Sequence, residues 1–381
     1  MVLLSVIIPV YRVEEYLTRC LDSVLRQPFT DLEVVAVDDA SDDGCAEILA
    51  RYAATEPRLR VVTLDHNQGL GAARNAGLAS ATGTYVWFVD SDDWLPDGTL
   101  TAVANRLTQT RPDLLVTGFS RVYWDGRVRT ESVTRAAGPP GSPPVFALRD
   151  RPALLSVLHI ACNKIVRRRF LTDLGLTFGD GWYEDVSFSF PLMIAAERIS
   201  LLDRDCYVYR QRRTGGITHT VSGRHFELFP HWDRVFEFMA ERPEIPAELR
   251  GQIFQRMIWH FLQVLGHAQR VPAARRREFF TGMVLRFRGH RPVTGYQVPP
   301  GAAGIKHRLV AGGAYRLFEA LRRANRVGGV LARRRTPVRS GAGVHPAVTS
   351  RVWPAGEVAI PGEVVVPHKK LNPGELPDRV R

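Results

Sequence analysis

The segment YVWFVDSDDW, residues 85–94, places three aspartates directly after a short apolar run. At the end of a buried strand, Asp90, Asp92 and Asp93 would repel one another, and burying them is costly unless a positive group lies among them. Carboxylate oxygens suit Mg²⁺ and Mn²⁺, and Mg²⁺ keeps coordination positions for substrate phosphates. The pattern therefore indicates a divalent-metal site for a phosphate-bearing ligand. The alternative is a solvated, carboxylate-rich turn before the next helix.

The first 120 residues alternate between apolar runs and segments with helical spacing. This alternation predicts βαβ units, and hence an α/β fold with a mostly parallel sheet flanked by helices. Ligands of such sheets bind beyond the carboxyl ends of the strands, so the acidic groups that follow the strands are expected at one site. The predicted strands are Leu3–Val10, Leu32–Val37, Leu59–Leu64 and Thr84–Val89, with helices at Glu14–Arg26, Cys45–Tyr52 and Gly71–Ala79.

The later part of the chain has a different pattern. Residues 136–150 are rich in Pro and Gly and predict a loop or hinge. Three helices are predicted over Phe226–Glu241, Ala247–Gln269 and Ala273–Arg288, and a poorly ordered tail is expected after Thr336. We therefore divide the chain into an α/β domain (1–220), a helical, basic C-terminal region (221–335) and a tail or linker (336–381).

Charge is distributed unevenly along the 381 residues. Residues 1–120 contain 9 Lys and Arg against 17 Asp and Glu, a net charge of −8, whereas the remainder carries +20. Segment 305–335 has 9 Lys and Arg, one acidic residue and interleaved apolar residues. This pattern predicts an interfacial helix on an anionic membrane surface, the alternative being a solvated basic helix. Nucleic acid is not expected as a partner because the aromatic residues form no stacking platform.

The cysteines and the N-terminal segment bear on the compartment. The four cysteines form no CxxC pair, which is typical of reduced cytosolic thiols. MVLLSVIIPV lacks a basic n-region and a small-residue cleavage site, so it predicts a buried strand rather than a signal peptide. No run reaches about 18 apolar residues, so no membrane-spanning helix is expected. We expect a cytoplasmic protein, peripheral at the inner face of the plasma membrane.

Further motifs lie where the predicted strands end. Pro9 and Tyr11 close the first strand, where an aromatic ring can stack on a nucleobase. Asp39, in VDDASDD, can accept hydrogen bonds from a base or a ribose, although a helix cap is an alternative. NQGLGAARNAG (67–77) supplies glycines for close backbone approach and Arg74 as a cation for a diphosphate. It is not the dinucleotide fingerprint, because it follows the third strand rather than the first.

Taken together, six motifs resemble the family 2 glycosyltransferases of the GT-A fold. In order along residues 3–220 they are SVIIPVY, VDDASDDG, NQGLGAARNAG, FVDSDDW, ACNK and WYEDVSF. The resemblance implies a GT-A (Rossmann-like) fold and an inverting transfer of a sugar from a nucleoside-diphosphate donor, most often a UDP-sugar. It also implies Mn²⁺ or Mg²⁺ as cofactor. The expected acceptor is a glycan, lipid-linked or polyol-phosphate hydroxyl in cell-surface polysaccharide synthesis.

The resemblance also implies a role for particular residues. Asp185, in the pair Glu184-Asp185, would be the catalytic base that removes the proton of the acceptor hydroxyl. Asp92 would be the chief metal ligand, with Asp90 as its partner in the Asp-x-Asp motif. The donor-binding residues would be Pro9, Tyr11, Asp39, Arg74, Asp90 and Ser91. Two departures adjoin the nucleotide, since Arg12 stands where the family usually has Asn and Ala40 where Gly is usual.

Other candidates have open alternatives. Asn163 and Lys164 of ACNK lie near an acceptor or phosphate, or on a basic surface helix. Trp182 is expected to stack against an acceptor sugar or to pack in the core. Glu184 is a candidate for acceptor or phosphate binding, the alternative being a helix N-terminus rich in acidic residues. His219, after Gly215-Gly216, is an additional metal ligand or phosphate contact, or an exposed loop histidine.

Two other functions remain possible on the sequence alone. A nucleotidyltransferase is disfavoured because PVYRVEEY stands where a Gly-rich loop with a basic residue would be expected. A scaffold that binds sugar nucleotides or anionic polymer without turnover is disfavoured because Asp92 and Asp185 are both present.

Overall fold

The computed structural model describes residues 2–211 and 220–334. These residues divide into two compact units. The described part of the first unit comprises 2–211 and 230–246, and that of the second comprises 220–229 and 247–334.

The first unit is built on a nine-stranded sheet. Its strands are β1 (Leu4–Val10), β2 (Leu32–Asp38), β3 (Leu59–Thr63), β4 (Tyr85–Phe88), β5 (Leu114–Tyr123), β6 (Val128–Glu131), β7 (Val145–Phe146), β8 (Lys164–Arg167) and β9 (Ile199–Gln211). The helices of this unit are α1 (Glu14–Leu25), α2 (Cys45–Ala53), α3 (Leu70–Ser80), α4 (Thr99–Thr110), α5 (Arg168–Asp173), α6 (Glu184–Ala195) and, from Pro230 onward, α7 (Leu228–Ala240).

The predicted α/β fold is confirmed, with the strands and helices of the first 90 residues at the expected places. The strand order is β3-β2-β1-β4-β8-β5-β9-β7, with β6 paired to β5. The sheet is mixed rather than mostly parallel. The pairs among β1–β4 and the pair β5–β9 are parallel, whereas β8 pairs antiparallel with both β4 and β5. No α-helix lies between β5 and β8 to make the crossover that a parallel strand requires, so the chain returns in the opposite direction.

The strand order reverses between β1 and β4, because the chain runs outward through β2 and β3 and then returns to the other side of β1. Every residue of β1 and β4 is buried, as expected for central strands covered on both faces. A crevice opens at such a reversal, beyond the carboxyl ends of the two strands. Tyr11 and the acidic residues after β4 lie at this edge.

Helix α3 packs closely against the sheet at Gly77 and against the loop before α6 at Gly71. A Cβ atom on Gly77 would lie 2.3 Å from Ile7 Cγ2, and a Cβ atom on Gly71 would lie 2.3 Å from the Gly179 carbonyl oxygen. Both distances are shorter than real Cβ contacts, so larger residues would push α3 away. The glycines of the 67–77 motif therefore set the position of Arg74, which lies between them on this helix.

The two departures from the family pattern share one backbone feature. Arg12 has φ 51° and Ala40 has φ 55°, both in the left-handed region. Asn and Gly tolerate this conformation better than other residues do. The residues usual at these positions thus suit the observed backbone, and this chain keeps the conformation with less suitable residues. Arg12 also forms an ion pair with Asp42 at 2.5 Å.

We expect Ala40→Gly to raise the free energy of unfolding by about 0.5–1 kcal/mol. Relief of roughly 1–2 kcal/mol of left-handed strain exceeds the roughly 0.4–1 kcal/mol lost to the greater freedom of the unfolded chain. Urea unfolding of the purified protein measures the change. Ala50→Gly, the same substitution on the exposed side of α2, should lower stability by about 1 kcal/mol. A loss of stability in both variants would show that Ala40 is not strained.

The second unit is helical, as predicted, with α8 (Ala247–Gly266), α9 (Arg276–His290), α10 (Gly301–Ala311) and α11 (Tyr315–Arg334). The basic segment contributes to its core, since Val310 and Phe318 are buried and the Phe318 ring lies 5.2 Å from that of Phe280. Of its apolar residues, Ile305 is 47% exposed and Leu317 is 64% exposed. Within 2–211 and 220–334, no helix is long and apolar enough to cross a bilayer.

Candidate active site

Arg74 lies at the centre of the candidate site and contacts three carboxylates. Its Nη2 atom is 2.7 Å from Asp90 Oδ1, and its Nη1 atom is 2.7 Å from Glu184 Oε1 and 3.2 Å from Asp185 Oδ1. We call these four residues the Arg74 cluster. The cluster joins the helix after β3, the turn after β4 and the start of α6. Residues more than 100 positions apart in sequence therefore meet around one cation.

The guanidinium of Arg74 is almost completely buried, with 1% of the side chain exposed. Burial opposes its charge, but Asp90, Asp185 and Glu184 together raise its pKa further above the usual value. Its Cζ atom also lies 5.0 Å from the centre of the Phe178 ring. Asn75 holds that ring in place, since its amide accepts a hydrogen bond from the Phe178 N–H (2.9 Å) and donates one to the Phe178 carbonyl (3.0 Å). The side chain predicted to help hold a nucleotide thus contacts three carboxylates in this structure.

Glu184 and Asp185 are the first two residues of α6, where the helix dipole favours negative charge. Tyr183 precedes them in the left-handed conformation, with φ 72°, and so turns the chain into the helix. The two carboxylates differ in access, because the Glu184 side chain is 6% exposed and that of Asp185 is 22% exposed. Burial raises the pKa of Glu184 to about 7, and burial also raises the pKa of Asp185 against the effect of Arg74. Asp185 is thus more accessible than Glu184, and its carboxylate is more basic than that of an ordinary aspartate.

The ACNK segment supports two of these carboxylates from one side. The Ala161 N–H donates to Asp185 Oδ1 (3.2 Å), and the Cys162 thiol donates to Asp90 Oδ2 (3.2 Å). Lys164 Nζ in turn donates to the Ile160 carbonyl (2.7 Å) and to Asn163 Oδ1 (2.9 Å). Burial lowers the pKa of Lys164 to about 7, against the effect of nearby Asp185. This segment forms a 3₁₀ turn that leads into β8.

The predicted contact of Asn163 and Lys164 with acceptor or phosphate does not fit this position. Asn163 is fully buried and Lys164 is 1% exposed, so neither lies on a basic surface helix nor faces solvent. Their polar atoms bind their own segment, including the bond from Asn163 Nδ2 to the Leu158 carbonyl (3.2 Å). The two residues therefore position the neighbours that contact Asp185 and Asp90.

The residues 90–93 form a turn, which we call the acidic turn. The Asp93 N–H donates to the Asp90 carbonyl (3.0 Å). The Asp93 carboxylate is buried and accepts hydrogen bonds from the Tyr207 hydroxyl and from the Arg210 N–H (2.7 Å). Burial, followed by the charges of Asp92 and Asp90, raises the pKa of Asp93 well above its usual value. Asp93 thus fastens the turn to β9, while Asp90 faces Arg74.

The acidic turn carries the two carboxylates, Asp90 and Asp92, that the sequence predicts as ligands of a divalent cation. Asp92 is half-buried, and the two carboxylate oxygens of Asp90 accept hydrogen bonds from Arg74 and Cys162. Among the residues the structure describes, no three His, Cys, Asp or Glu side chains are grouped so as to hold a metal ion. Mg²⁺ is usually held by one or two carboxylates together with substrate phosphates. Asp92 can serve as such a ligand once a diphosphate supplies the other oxygens.

The remaining predicted residues lie around the same sheet edge. Asp39 is buried, and its carboxylate accepts hydrogen bonds from Asn67 Nδ2 (3.0 Å) and from the N–H groups of Gln68 (2.7 Å) and Gly69 (2.8 Å). It therefore fixes the loop before α3. The Tyr11 ring is 39% exposed at the end of β1, and the Cζ atom of Arg12 lies 5.2 Å from its centre. Pro9 and Ser91 are buried, Trp182 is half-buried, and His219 lies outside the described residues.

Several residues of the site were not anticipated from sequence. They are Cys162, Phe178, Tyr207 and Arg210, together with the backbone N–H of Ala161. All four cysteines are free and buried. The only signal that could have identified Cys162 is its place in ACNK. Tyr207 and Arg210 lie in a strand, where nothing in the local pattern points to the acidic turn.

Comparison with known proteins agrees with this fold and these motifs. Residues 5–175 match the model of a family described as glycosyl transferase family 2. An uncharacterized glycosyltransferase, EpsJ of Bacillus subtilis (strain 168), is 30% identical over 211 residues, which are 55% of this chain and 61% of EpsJ. The poly(ribitol-phosphate) beta-N-acetylglucosaminyltransferase TarS of Staphylococcus aureus is 33% identical over 216 residues, which are 55% of this chain and 36% of TarS. This chain thus spans less than two thirds of either relative.

A crystal structure of S. aureus TarS 1-349 in complex with UDP-GlcNAc superposes with a TM-score of 0.60 at 22% identity. The superposition covers 82% of this chain and 92% of that one. The GT-A fold predicted from the motifs is therefore confirmed. The segment 5–175 carries the signature of glycosyl transferase family 2, so the resemblance predicted from the six motifs is confirmed.

We expect Arg74→Met to lower the free energy of unfolding by about 3–5 kcal/mol, because it leaves three carboxylates without their cation. Without Arg74, the pKa values of Glu184 and Asp185 should rise further above those of the unfolded chain. A carboxyl group of this kind loses stabilisation as the pH rises between its unfolded and folded pKa values. The deficit should therefore grow from about pH 5 to about pH 8, as measured by urea unfolding.

Two variants control for this experiment. Arg149→Met removes an arginine from an exposed ion pair with Glu197, so it should cost about 1 kcal/mol or less, with little dependence on pH. Arg74→Lys keeps one charge but not the two-pronged geometry, and it should fall between the wild type and Arg74→Met. A pH-independent loss of less than about 1 kcal/mol in Arg74→Met would contradict the central role of this cation.

Proposed function

We propose that this protein is an inverting glycosyltransferase. It moves a sugar from a nucleoside-diphosphate donor, a UDP-sugar, to a hydroxyl group of a cell-surface glycan, lipid-linked or polyol-phosphate acceptor. The observation that carries the proposal is the position of Asp185. It is a partly accessible carboxylate with a raised pKa, held by Arg74 and Ala161 beside the acidic turn, at the edge where ligands of α/β sheets bind.

Asp185 acts as the general base in this proposal. Its carboxylate takes the proton of the acceptor hydroxyl while that oxygen forms a bond to the anomeric carbon. The bond from the anomeric carbon to the diphosphate oxygen breaks, and the nucleoside diphosphate leaves with the electron pair. Attack from the face opposite the leaving group inverts the anomeric centre. A base with a raised pKa is better suited to this transfer than a solvated aspartate.

The other members of the cluster hold Asp185 in position. Arg74 keeps the carboxylate ionised and oriented, while the N–H of Ala161 occupies a second lone pair of Oδ1. Lys164 and Asn163 stabilise the turn that presents this N–H. Tyr11, exposed at the end of β1, supplies a surface for the nucleobase.

Asp92 is the proposed protein ligand for Mn²⁺ or Mg²⁺, with Asp90 beside it. The ion, when bound, neutralises charge that develops on the leaving diphosphate. The donor and acceptor classes are supported by likeness. TarS, which has a solved complex with UDP-GlcNAc, is named for poly(ribitol-phosphate) and N-acetylglucosamine. The sugar transferred by the present protein is proposed only to the level of a hexose or N-acetylhexosamine.

We expect Asp185→Asn to abolish sugar transfer while donor binding is retained. An asparagine cannot take the proton, and a lost general base typically costs about 10²–10⁴-fold in rate. Transfer is measured as UDP release from UDP-GlcNAc with Mn²⁺ and a ribitol-phosphate oligomer. Donor binding is measured as the rise in melting temperature with UDP and Mn²⁺, since a ligand of the folded state stabilises it by mass action.

Two further variants separate the possible outcomes. Asp92→Ala should lose the Mn²⁺-dependent part of the thermal shift, whereas Asp173→Asn, an exposed aspartate on α5, should leave both transfer and binding unchanged. Full turnover in Asp185→Asn would exclude it as the base. A wild-type protein that binds UDP with Mn²⁺ but neither transfers nor hydrolyses any sugar nucleotide would instead be a binding scaffold.

We further propose that the second unit meets an anionic membrane surface, which would place the enzyme at the inner leaflet beside a lipid-linked acceptor. The segment 305–335 is strongly basic, and Leu317 lies exposed beside the exposed Arg316 on α11. Because Val310 and Phe318 are already buried, the contact would rest more on charge than on an apolar helix face.

The full chain should bind vesicles with phosphatidylserine more tightly than neutral vesicles, and Arg316→Glu with Arg323→Glu should weaken this binding at least about tenfold. Each basic residue near the surface contributes about 1 kcal/mol. Co-sedimentation measures the change. Arg51→Glu with Arg169→Glu makes the same charge change on the first unit and serves as the control. Equal losses in the two double variants would indicate a nonspecific effect of net charge rather than an α11 surface.

A further inference from the structure

Two arginines stack on one tryptophan directly beside the acidic turn. The Cζ atom of Arg19, on α1, lies 3.6 Å from the centre of the Trp94 ring, and the Cζ atom of Arg210, on β9, lies 4.8 Å from the same ring. Arg210 also lies 4.8 Å from the ring of Tyr16. We call Arg19, Trp94 and Arg210 the arginine–tryptophan stack. Its residues have no role in the function proposed above.

The stack is fixed to the acidic turn by the backbone. Trp94 follows Asp93 directly, and its carbonyl accepts a hydrogen bond from the Val208 N–H (2.9 Å) on β9. Arg210 Nε donates to the Asp92 carbonyl (2.8 Å), and the Arg210 N–H donates to Asp93 Oδ1 (2.7 Å). A ligand that contacts this stack would therefore lie next to Asp92.

The two guanidinium groups differ from Arg74 in their electrostatic surroundings. Arg74 contacts three carboxylates, whereas neither Arg19 nor Arg210 has a carboxylate at ion-pair distance among the residues that the structure describes. The pKa of Arg19 is lowered, mainly because the side chain is partly buried and also because Arg210 carries a like charge nearby. Like charges held together without a counter-ion are unfavourable, and an anion between them would relieve that cost.

The chemistry of the stack selects among anions. A guanidinium offers a planar pair of donors that matches two oxygens of a phosphate, and stacking on a ring pre-orients it at little further cost in entropy. Arg19 is exposed and Arg210 is half-buried, so part of the pair faces solvent. The indole face is already covered by a cation, which argues against sugar stacking at this position.

We propose that Arg19 and Arg210, stacked on Trp94, form a binding site for a phosphate group of a substrate beside the metal-binding aspartate. Two sources carry this chemistry, namely a phosphodiester of a polyol-phosphate acceptor and the diphosphate of the donor. The inference deepens the proposed function, on which it rests for the identity of these two substrates. It assigns binding of the substrate's negatively charged phosphate to residues outside the Arg74 cluster.

The test measures binding to the full chain by isothermal titration calorimetry, with a ribitol-phosphate oligomer in one arm and UDP with Mn²⁺ in the other. Arg19→Gln should weaken at least one of these about tenfold, since a charge-assisted hydrogen bond contributes roughly that factor or more. Arg19→Lys should keep part of the affinity, because the charge remains and the planar fork is lost. Arg51→Gln removes the same charge from an exposed position on α2, and it should leave the affinity for both probes unchanged.

Each outcome has one meaning. Loss in the oligomer arm alone assigns the site to an acceptor phosphodiester, and loss in the UDP arm assigns it to the donor diphosphate. Affinities that match those of Arg51→Gln in both arms, or a wild type that binds neither probe, would overturn the proposal. Hydrolysis of UDP-GlcNAc is followed in parallel on the wild type. Its absence would count against the proposed transferase function without altering what the binding arms report about Arg19.

Discussion

A single buried arginine, surrounded by three carboxylates, is the interaction on which the arrangement of this site depends. Asp90, Glu184 and Asp185 come from two distant parts of the chain, and in a low-dielectric interior they would repel one another strongly. Arg74 makes their proximity possible because it contacts all three at 2.7–3.2 Å. Its own burial is possible because Gly71 and Gly77 let α3 lie against its neighbours. The glycine spacing of one motif therefore determines whether the acids of two others can meet.

Three buried or partly buried charged side chains at the carboxyl edge of the sheet are stabilised in different ways. Asp90 shares the buried cation Arg74, whereas Asp93 accepts hydrogen bonds from Tyr207 and from a backbone N–H. Lys164 is buried against a carbonyl and an amide oxygen, with its pKa lowered to about 7. In each case burial is compensated by specific hydrogen bonds, as buried polar groups require. The groups with least compensation, Arg19 and Arg210, are those that we assign to a ligand.

The two units contribute different physical properties. The first unit concentrates acidic side chains at one sheet edge and fixes them through β9 and α6. The second unit is basic, and its segment 305–335 is divided between core residues such as Phe318 and exposed residues such as Leu317. The donor and the acceptor proposed above are two anionic substrates, and they are compatible with this division. Their negative charges need cations outside the carboxylate-rich edge.

The sequence by itself determined the α/β class and the order of elements in the first 90 residues, because apolar periodicity and turn chemistry are local properties. Its motifs also carried the resemblance to the family 2 glycosyltransferases. It also predicted that Arg74, Asp90 and Asp185 lie together, as the structure places them, since motifs at strand ends converge in any sheet of this class. It did not determine that Arg74 contacts three carboxylates, or that Asn163 and Lys164 are buried. These depend on the close approach of α3 to the sheet and on the antiparallel insertion of β8, which follows from a connection without a helix. Only the tertiary structure decides such contacts, because they join residues roughly 20 to 120 positions apart, whose proximity no local pattern encodes.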